Sequence, residues 1–317
     1  MNGPSSVRHS RIIGIGERRP ARLMSNDELP ATLDTNDEWI RQRTGIATRG
    51  VAGPDESVVS MASDAAGKAV ADSGVDPAAI GLVILATCSL PQPIPGGAAR
   101  VATAIGAPRC GAYDLNAACA GFCYALASAS DAIRLGTVDY VVVVGAEKIT
   151  DRIDWADRGS AILFGDGAGA VVVGPSETPG IGPVVFGSDG SAANLIDTTP
   201  EGLLRLDGPA VFRWATTSLG GVAREICAAA GITPADVAAV IPHQANLRII
   251  DAIARQIGAS NAVIATDVID TGNTSAASVP LALSRLRREN KVSTGDLALT
   301  LAFGSGLTWA GSVIAVP

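Results

Sequence analysis

One cysteine of this sequence stands where a thiol can act as a nucleophile. Cys119 lies between a strand-like run, Gly111–Leu115, and an apolar helical pattern, and its neighbours are alanine and glycine. A thiol at a helix start meets unpaired backbone N–H groups and the positive end of the helix dipole, which both favour the thiolate. The alternative is that Cys119 is a small buried hydrophobic residue, as a lone cysteine among alanines commonly is.

The histidine count limits the choice of a partner for that thiol. The chain has two histidines, His9 in the polar N-terminal tail and His243 directly after a predicted strand at 238–241. Open α/β sheets place ligand-contacting groups just beyond strand ends. If Cys119 is a nucleophile assisted by a histidine, that histidine must be His243; otherwise His243 is a packed loop residue bonded to the backbone.

Three further stretches place glycine or polar residues beside predicted element ends. Residues 271–278, Thr-Gly-Asn-Thr-Ser-Ala-Ala-Ser, precede a helix, so a hydroxyl caps it while the Asn273 amide is free to donate. Residues 303–308, Phe-Gly-Ser-Gly-Leu-Thr, predict a tight turn whose N–H groups point at an oxyanion. Residues 165–169, Gly-Asp-Gly-Ala-Gly, resemble a dinucleotide loop, but a strand follows them, so we expect a turn between elements.

Composition limits the class of protein. A chain of 317 residues with 47% hydrophobic residues predicts two domains or one large duplicated unit with a sizeable core. No apolar run reaches the roughly 18 residues of a membrane span, and residues 1–10 lack the apolar core of a signal peptide. The five cysteines lie at no metal-site spacing. We therefore expect a cytoplasmic protein with free thiols and no metal.

The charge balance bears on partners. A net charge of −7 argues against a general nucleic-acid surface. Only Lys68, Lys148 and Lys291 are lysines among the 24 basic residues, so any anion site must be built from arginines, which suit phosphate.

The order of predicted elements indicates an α/β protein whose second half repeats the first. Short Val- and Ile-rich strands alternate with Ala-rich helices. Residues 74–84 parallel 231–241 at an offset of 157, Ile-Gly-Ala at 105 recurs at 257, and the Cys119 helix start is matched by 271–278. We predict two halves, 10–175 and 176–317, whose facing helix N-termini bring Cys119 and Asn273 together.

Together these stretches resemble the β-ketoacyl-ACP synthase III family of thiolase-fold condensing enzymes, nearly from end to end. The resemblance implies a five-layered αβαβα arrangement of two βαβαβαββ halves. The matching stretches are Asp37-Glu-Trp39-Ile-Arg-Gln-Arg43-Thr-Gly-Ile, Ala117-Ala-Cys119-Ala-Gly-Phe, Asp157-Arg158-Gly, Phe164-Gly-Asp-Gly-Ala-Gly-Ala, Pro242-His243-Gln-Ala-Asn-Leu-Arg248, Gly272-Asn273-Thr-Ser and Phe303-Gly-Ser-Gly306.

The resemblance implies a decarboxylative Claisen condensation that initiates fatty-acid or polyketide synthesis. Cys119 would attack an acyl-CoA thioester, with the oxyanion held by the backbone N–H groups of Cys119 and Gly306. His243 and Asn273 would then donate hydrogen bonds to the thioester oxygen of malonyl-ACP and stabilise the enolate left by loss of CO2. Apart from these two substrates, no cofactor is implied.

The triad separates the chain from related families. Elongating synthases carry Cys-His-His, degradative thiolases have a second cysteine in the closing glycine loop, and plant-type polyketide synthases with Cys-His-Asn are longer. Two alternatives stay open: an acyltransferase that moves the Cys119 acyl group to a non-malonyl acceptor, and a catalytically silent dimeric acyl-binding protein.

The resemblance also implies binding residues and partners. Trp39 would stack on the adenine of CoA with Arg158 on its other face and Arg43 near phosphate. Arg248, with Arg213 and Arg255, would form the basic patch for the phosphopantetheine arm and the acidic acyl carrier protein, and Gln244 would also contact CoA or the carrier protein. As alternatives, Trp39 is a core residue and the arginines are solvated surface.

The acyl pocket is the part where the chain departs from the family. In a homodimer, Ile94 would occupy the position that closes the partner's pocket, and Phe164 and Leu206 would line the pocket. The segment 188–206 is shorter than the family pattern, and Pro209 replaces a polar residue. Acetyl, branched and medium-chain primers therefore all stay open.

Overall fold

The computed structural model describes residues 8–317. None of the helices in this range is long and apolar enough to cross a membrane. In the first half the strands are β1 (His9–Arg18), β2 (Arg22–Ser25), β3 (Thr48–Val51), β4 (Ile80–Ala86), β5 (Gly111–Leu115), β6 (Tyr140–Glu147) and β7 (Gly167–Ser176). The helices there are α1 (Asp37–Thr44), α2 (Val58–Ser73), α3 (Ala98–Ala104), α4 (Gly121–Arg134) and α5 (Arg158–Ala161).

The second half continues the same alternation. Its strands are β8 (Val185–Ser188), β9 (Ile196–Thr198), β10 (Leu204–Leu206), β11 (Ala239–Pro242), β12 (Val263–Ile264), β13 (Leu297–Gly304) and β14 (Thr308–Ala315). Its helices are α6 (Gly208–Ala229), α7 (Leu247–Ile257), α8 (Val268–Thr271) and α9 (Ser278–Arg288).

The two main sheets have the same topology. The first has strand order β1-β7-β6-β4-β5, and the second, read from β8, has the order β8-β14-β13-β11-β12. In both, the two strands at the end of the unit pair antiparallel and the crossover strands pair parallel. The predicted βαβαβαββ pattern of each half is confirmed. The boundary predicted between residues 175 and 176 falls at the end of β7.

The packing gives five layers. Apolar residues of α2 and α3 cover one face of the first sheet, and those of α6 and α7 cover the outer face of the second. Between the sheets lie α4 and α9, whose buried residues join both sheets in one core. Strands buried on both faces carry near-continuous valine, as Val141–Val144 of β6 do, because no face is left for polar residues.

Most predicted elements agree with the structure, and two details were wrong. The sequence pattern predicts helices near residues 37–44 and at 58–73, and α1 and α2 have these bounds. The helix predicted to begin near Cys119 starts as a 3-10 turn at residues 118–120 and becomes α-helical only from Gly121. The glycines at 167 and 169 were expected in a turn but lie in β7, where Gly169 leaves room for Pro280 of α9.

Candidate active site

Two equivalent turns, one in each half, carry the predicted catalytic residues. The side-chain oxygen of Asn116 accepts a hydrogen bond from Ala118 N–H at 3.1 Å, and that of Asn273 accepts one from Ser275 N–H at 2.9 Å. Ala118 and Ser275 both adopt left-handed backbone angles, with φ of 47° and 49°. Each turn leads through a 3-10 turn into a central helix, α4 or α9. The predicted correspondence between the Cys119 and Asn273 stretches is therefore present in the backbone.

The two turns meet at one large cavity. It has a volume of about 870 Å³, and its wall includes Cys119, His243 and Asn273. These three side chains come from positions up to 154 residues apart in sequence, and the duplicated fold brings them to one space. Much of the remaining wall is apolar, including Ile149, Ile162, Leu163, Phe164, Leu204, Leu206, Val211, Phe212 and Phe303. The cavity therefore suits an extended acyl or pantetheine chain.

His243 is buried, and one nitrogen is already occupied. Its Nδ1 lies 2.7 Å from Ser278 Oγ, and the backbone N–H of Gln244 points at the same hydroxyl oxygen at 3.4 Å. When the Ser278 hydroxyl donates to Nδ1, the imidazole proton lies on Nε2. Burial lowers the pKa of His243 to about 3, so the ring is neutral at neutral pH. His243 is therefore a neutral hydrogen-bond donor.

The contacts that hold Asn273 do not use its side-chain amide nitrogen. The Oδ1 atom is used by Ser275 N–H, as described above. The backbone N–H donates to Leu163 O at 2.8 Å, and the carbonyl accepts from Gly165 N–H at 3.0 Å. These contacts fix the residue on three sides and leave Nδ2, which carries two N–H donors, for a ligand in the cavity.

Burial opposes the thiolate that a helix start favours at Cys119. Burial raises the pKa of this thiol to about 12, and the nearby Glu147 carboxylate adds to the rise, although the Ser275 hydroxyl opposes it. The favourable helix start therefore does not outweigh desolvation. At neutral pH the residue is a thiol beside a neutral histidine.

A glycine that packs against Cys119 gives access to its backbone nitrogen. A Cβ at Gly304 would lie 2.6 Å from Cys119 N and 3.2 Å from Cys119 Cβ, so a larger residue does not fit. In the part of the chain that the structure describes, neither Cys119 N–H nor Gly306 N–H has a protein acceptor. Both groups are free to serve as the predicted oxyanion donors, and that role stays a prediction.

The predicted nucleotide-binding residues cluster at the cavity mouth. Trp39 and Arg43 line the cavity, and the guanidinium of Arg43 lies 5.6 Å from the Trp39 ring centroid. The Arg158 guanidinium lies 4.9 Å from the same centroid and donates to Asp34 O. For an adenine to stack between Trp39 and Arg158, the guanidinium has to move outward, because it already covers the ring.

The predicted carrier-protein residues divide into two groups. Arg213 and Arg248 line the cavity, and Arg248 lies 4.9 Å over the Phe212 ring. Arg248 also borders a second, smaller depression with Arg255. The assignment of Gln244 to this surface was wrong: its side chain is fully buried and bonds to Pro242 O, Ala265 O and Val268 N–H. It holds the loop after β11 and has no surface to offer a ligand.

The predicted acyl-pocket residues also differ in position. Phe164 and Leu206 line the cavity. The short segment 188–206 still forms a wall of it through the β9–β10 hairpin. Ile94 does not line the cavity of its own chain and is 84% exposed, so its predicted role depends on a second subunit.

Sequence reasoning missed a buried polar cluster behind the cavity. Glu147 is completely buried and accepts hydrogen bonds from Cys88 and Ser275, both of which line the cavity. A single glutamate after a run of valines is typical of an exposed strand end, so no sequence signal pointed to it. Across residues 8–317, no group of three or more His, Cys, Asp or Glu is placed to hold a metal.

A thiolase-type fold with a cysteine, a histidine and an asparagine at one cavity defines the class of condensing acyltransferases. Family models of 3-oxoacyl-[acyl-carrier-protein] synthase III match residues 113–190, and those of its C-terminal region match residues 227–316. The chain belongs to this family and is an acyltransferase.

Individual relatives agree along nearly the whole chain. β-Ketoacyl-[acyl-carrier-protein] synthase III 4 of Streptomyces coelicolor is 50% identical over 97% of this chain and 99% of its own length. The solved priming β-ketosynthase of the R1128 polyketide pathway superposes with a TM-score of 0.95 at 44% identity, covering 100% of this chain and 99% of that one. The synthase III of Aquifex aeolicus gives a TM-score of 0.92 at 39% identity over 96% and 99%.

Proposed function

We propose that this chain condenses an acyl-CoA primer with malonyl-ACP to give β-ketoacyl-ACP, the initiating step of fatty-acid or polyketide synthesis. The observation that carries the proposal is the single cavity into which Cys119, His243 and Asn273 all face, with the donors of His243 and Asn273 unused by the protein. The names of the relatives support it: several are β-ketoacyl-ACP synthases III and one is a priming β-ketosynthase.

In the first half-reaction the Cys119 sulfur attacks the thioester carbon of acyl-CoA. A bond forms between Sγ and the acyl carbon, and the carbon–sulfur bond to CoA breaks. The thiol proton ends on the departing CoA sulfur. Because burial raises the pKa of Cys119, the thiol enters this step protonated, and its proton leaves as the new Sγ–C bond forms. The free N–H groups of Cys119 and Gly306 are the proposed donors to the oxyanion.

In the second half-reaction malonyl-ACP enters the same cavity. His243 Nε2–H and Asn273 Nδ2–H donate to its thioester oxygen and stabilise the enolate that forms as CO2 leaves. The enolate carbon then attacks the acyl carbon, and the electrons of the acyl–sulfur bond return to Cys119, whose thiolate takes a proton from water to restore the thiol. Neutral donors suffice because no proton is removed from carbon, which accords with the low pKa of His243. No metal or redox cofactor enters the scheme.

The proposed partners follow from surface features. The exposed arginines 213, 248 and 255 offer positive charge to an acidic carrier protein, in a chain of net charge −7. A homodimer is supported by β5, an edge strand of the first sheet whose Tyr113 is exposed. Pairing of two β5 strands would cover that edge. We further propose a cytoplasmic location.

Incubation with labelled acyl-CoA and malonyl-ACP tests the proposal. We expect labelled protein, release of CO2 and a β-ketoacyl-ACP product, and no labelling of the Cys119→Ser variant. Labelled protein that passes its acyl group to another acceptor without CO2 release would instead establish a plain acyltransferase. No labelling at all would leave only acyl binding. A panel of acyl-CoA chain lengths would identify the primer.

A further inference from the structure

A buried carboxylate joins the two halves directly behind the cavity. Glu147, the last residue of β6, is 0% exposed, and the described part of the chain offers it no ion pair. Its Oε1 accepts from Ser275 Oγ at 3.0 Å and from Cys88 Sγ at 3.3 Å. Its Oε2 accepts from the hydroxyls of Thr87 and Ser89, and the Cys88 N–H lies 3.2 Å from both oxygens. Five donors thus replace water around this carboxyl group and oppose the rise of its pKa that burial causes.

The duplication shows why this position matters. Strands β6 and β13 each have eight residues and begin 157 residues apart, which makes Glu147 the counterpart of Gly304. Gly304 packs against the turn that carries Cys119. Glu147 contacts Ser275 in the turn that carries Asn273. The last position of the strand is therefore a glycine where it packs beside the Cys119 turn, and a glutamate where it packs beside the Asn273 turn.

Ser275 connects this carboxylate to both reacting centres. Its N–H donates to Asn273 Oδ1, its hydroxyl donates to Glu147, and the same hydroxyl lies beside the Cys119 thiol. Ser275 adopts the same left-handed backbone as Ala118, with φ of 49°, and its hydroxyl gives it an anchor on Glu147 that an alanine lacks. A Ser275 without its acceptor would release the turn.

We propose that Glu147 is a positioning residue of the condensation: through Ser275 it fixes the amide of Asn273 and the thiol of Cys119 relative to one another. The proposal rests on the proposed function, because it assigns Glu147 to that reaction. It concerns a residue that touches neither substrate nor reacting atom.

The charge of Glu147 has a second effect, on the thiol itself. The titratable groups that face it are Cys88 and Cys119, and its carboxylate raises the pKa of both. The neighbouring Lys148 does not compensate, since its Nζ bonds to Gly53 O and lies 3.6 Å from Asp151. Removing the charge while keeping an oxygen for Ser275 should therefore lower the Cys119 pKa.

Two variants separate position from charge. Glu147→Ala removes the acceptor of Ser275, so we expect CO2 release from malonyl-ACP to fall at least about tenfold in kcat while KM for acyl-CoA stays nearly unchanged. Glu147→Gln keeps an oxygen for Ser275, so it should retain most of this activity.

In the Glu147→Gln variant the pH profile of Cys119 alkylation by iodoacetamide should move to lower pH. Asp166→Asn, at another buried carboxylate outside the cavity wall, is the matched control and should leave the alkylation profile in place.

The outcomes decide the proposal in each case. A folded Glu147→Ala protein that decarboxylates at the wild-type rate would overturn the positioning role, and an alkylation profile of Glu147→Gln that does not move would overturn the effect of the charge. If Glu147→Ala does not fold, decarboxylation by Glu147→Gln decides: loss of this activity, although Gln keeps an oxygen for Ser275, would overturn the positioning role. Failure of the proposed function looks different: the wild-type protein would then release no CO2, whereas alkylation could still be measured.

Discussion

Gly304 and Cys119 come from different halves of the chain and lie in direct backbone contact. The space where a Cβ of residue 304 would be is 2.6 Å from the backbone nitrogen of Cys119. The last strand residue of one half therefore packs against the nucleophile's turn of the other. The contact leaves Cys119 N–H without a protein acceptor, as an oxyanion donor requires.

Gly304→Ala should therefore impair acylation of Cys119. The added methyl group displaces the turn that carries the thiol, and we expect labelling by acyl-CoA to slow by at least about tenfold. Gly221→Ala is the matched control, because no atom lies within 4 Å of its added Cβ and alanine is favoured inside α6 by about 0.5–1 kcal/mol. Equal labelling rates in the two variants would contradict the proposed contact.

His243→Ala and Asn273→Ala should keep acyl labelling yet lose decarboxylation. Each removes one neutral donor to the malonyl thioester oxygen, a loss of about 10²–10³-fold per donor. The measurement is CO2 release from labelled malonyl-ACP beside acylation in the same sample. Asn261→Ala, at an exposed asparagine outside the cavity wall, should leave decarboxylation intact. Loss of labelling in both the His243 and Asn273 variants would refute this division of roles.

Arg248→Glu should raise KM for the carrier protein far more than KM for acyl-CoA. The residue borders both the cavity mouth and the second depression, where its positive charge faces solvent. Steady-state kinetics with each substrate varied in turn gives the two values. Arg134→Glu, an exposed charge reversal outside the cavity wall, is the control. An equal rise in both KM values would argue against a carrier-protein surface here.

Burial of neutral His243 should make the protein less stable in acid. The pKa is about 3 in the folded chain and 6.5 in an exposed histidine, so between these values the unfolded chain binds more protons. Stability from this group is complete above pH 6.5 and is lost as pH falls, by about 2 kcal/mol at pH 5. Urea unfolding at pH 7.5 and pH 5 should show a smaller difference for His243→Gln than for the wild type. The buried carboxylates, such as Asp166, contribute equally to both proteins, so an unchanged difference would mean that His243 is not buried in its neutral form.

Local patterns predicted much of the fold because they depend on neighbours in sequence. Helix α1 begins at Asn36, which accepts from Trp39 N–H, and ends at Gly45 with left-handed φ, both readable as cap signals. The strand boundaries were less accurate, since Gly167 and Gly169 are turn formers in isolation but pair with β1 and β6 here. Register in a buried sheet is set by the partner strands, which the local sequence does not contain.

The sequence by itself determined which residues are available for chemistry: one credible histidine, one cysteine at a helix start, one asparagine in the matching stretch, and a repeat with an offset of 157. Only the tertiary structure decided their state. It showed that burial raises the pKa of Cys119, that Gln244 faces inward, and that a carboxyl group lies behind the cavity at Glu147. Protonation and orientation depend on desolvation and on hydrogen bonds between the two halves, and these arise only when the chain is folded.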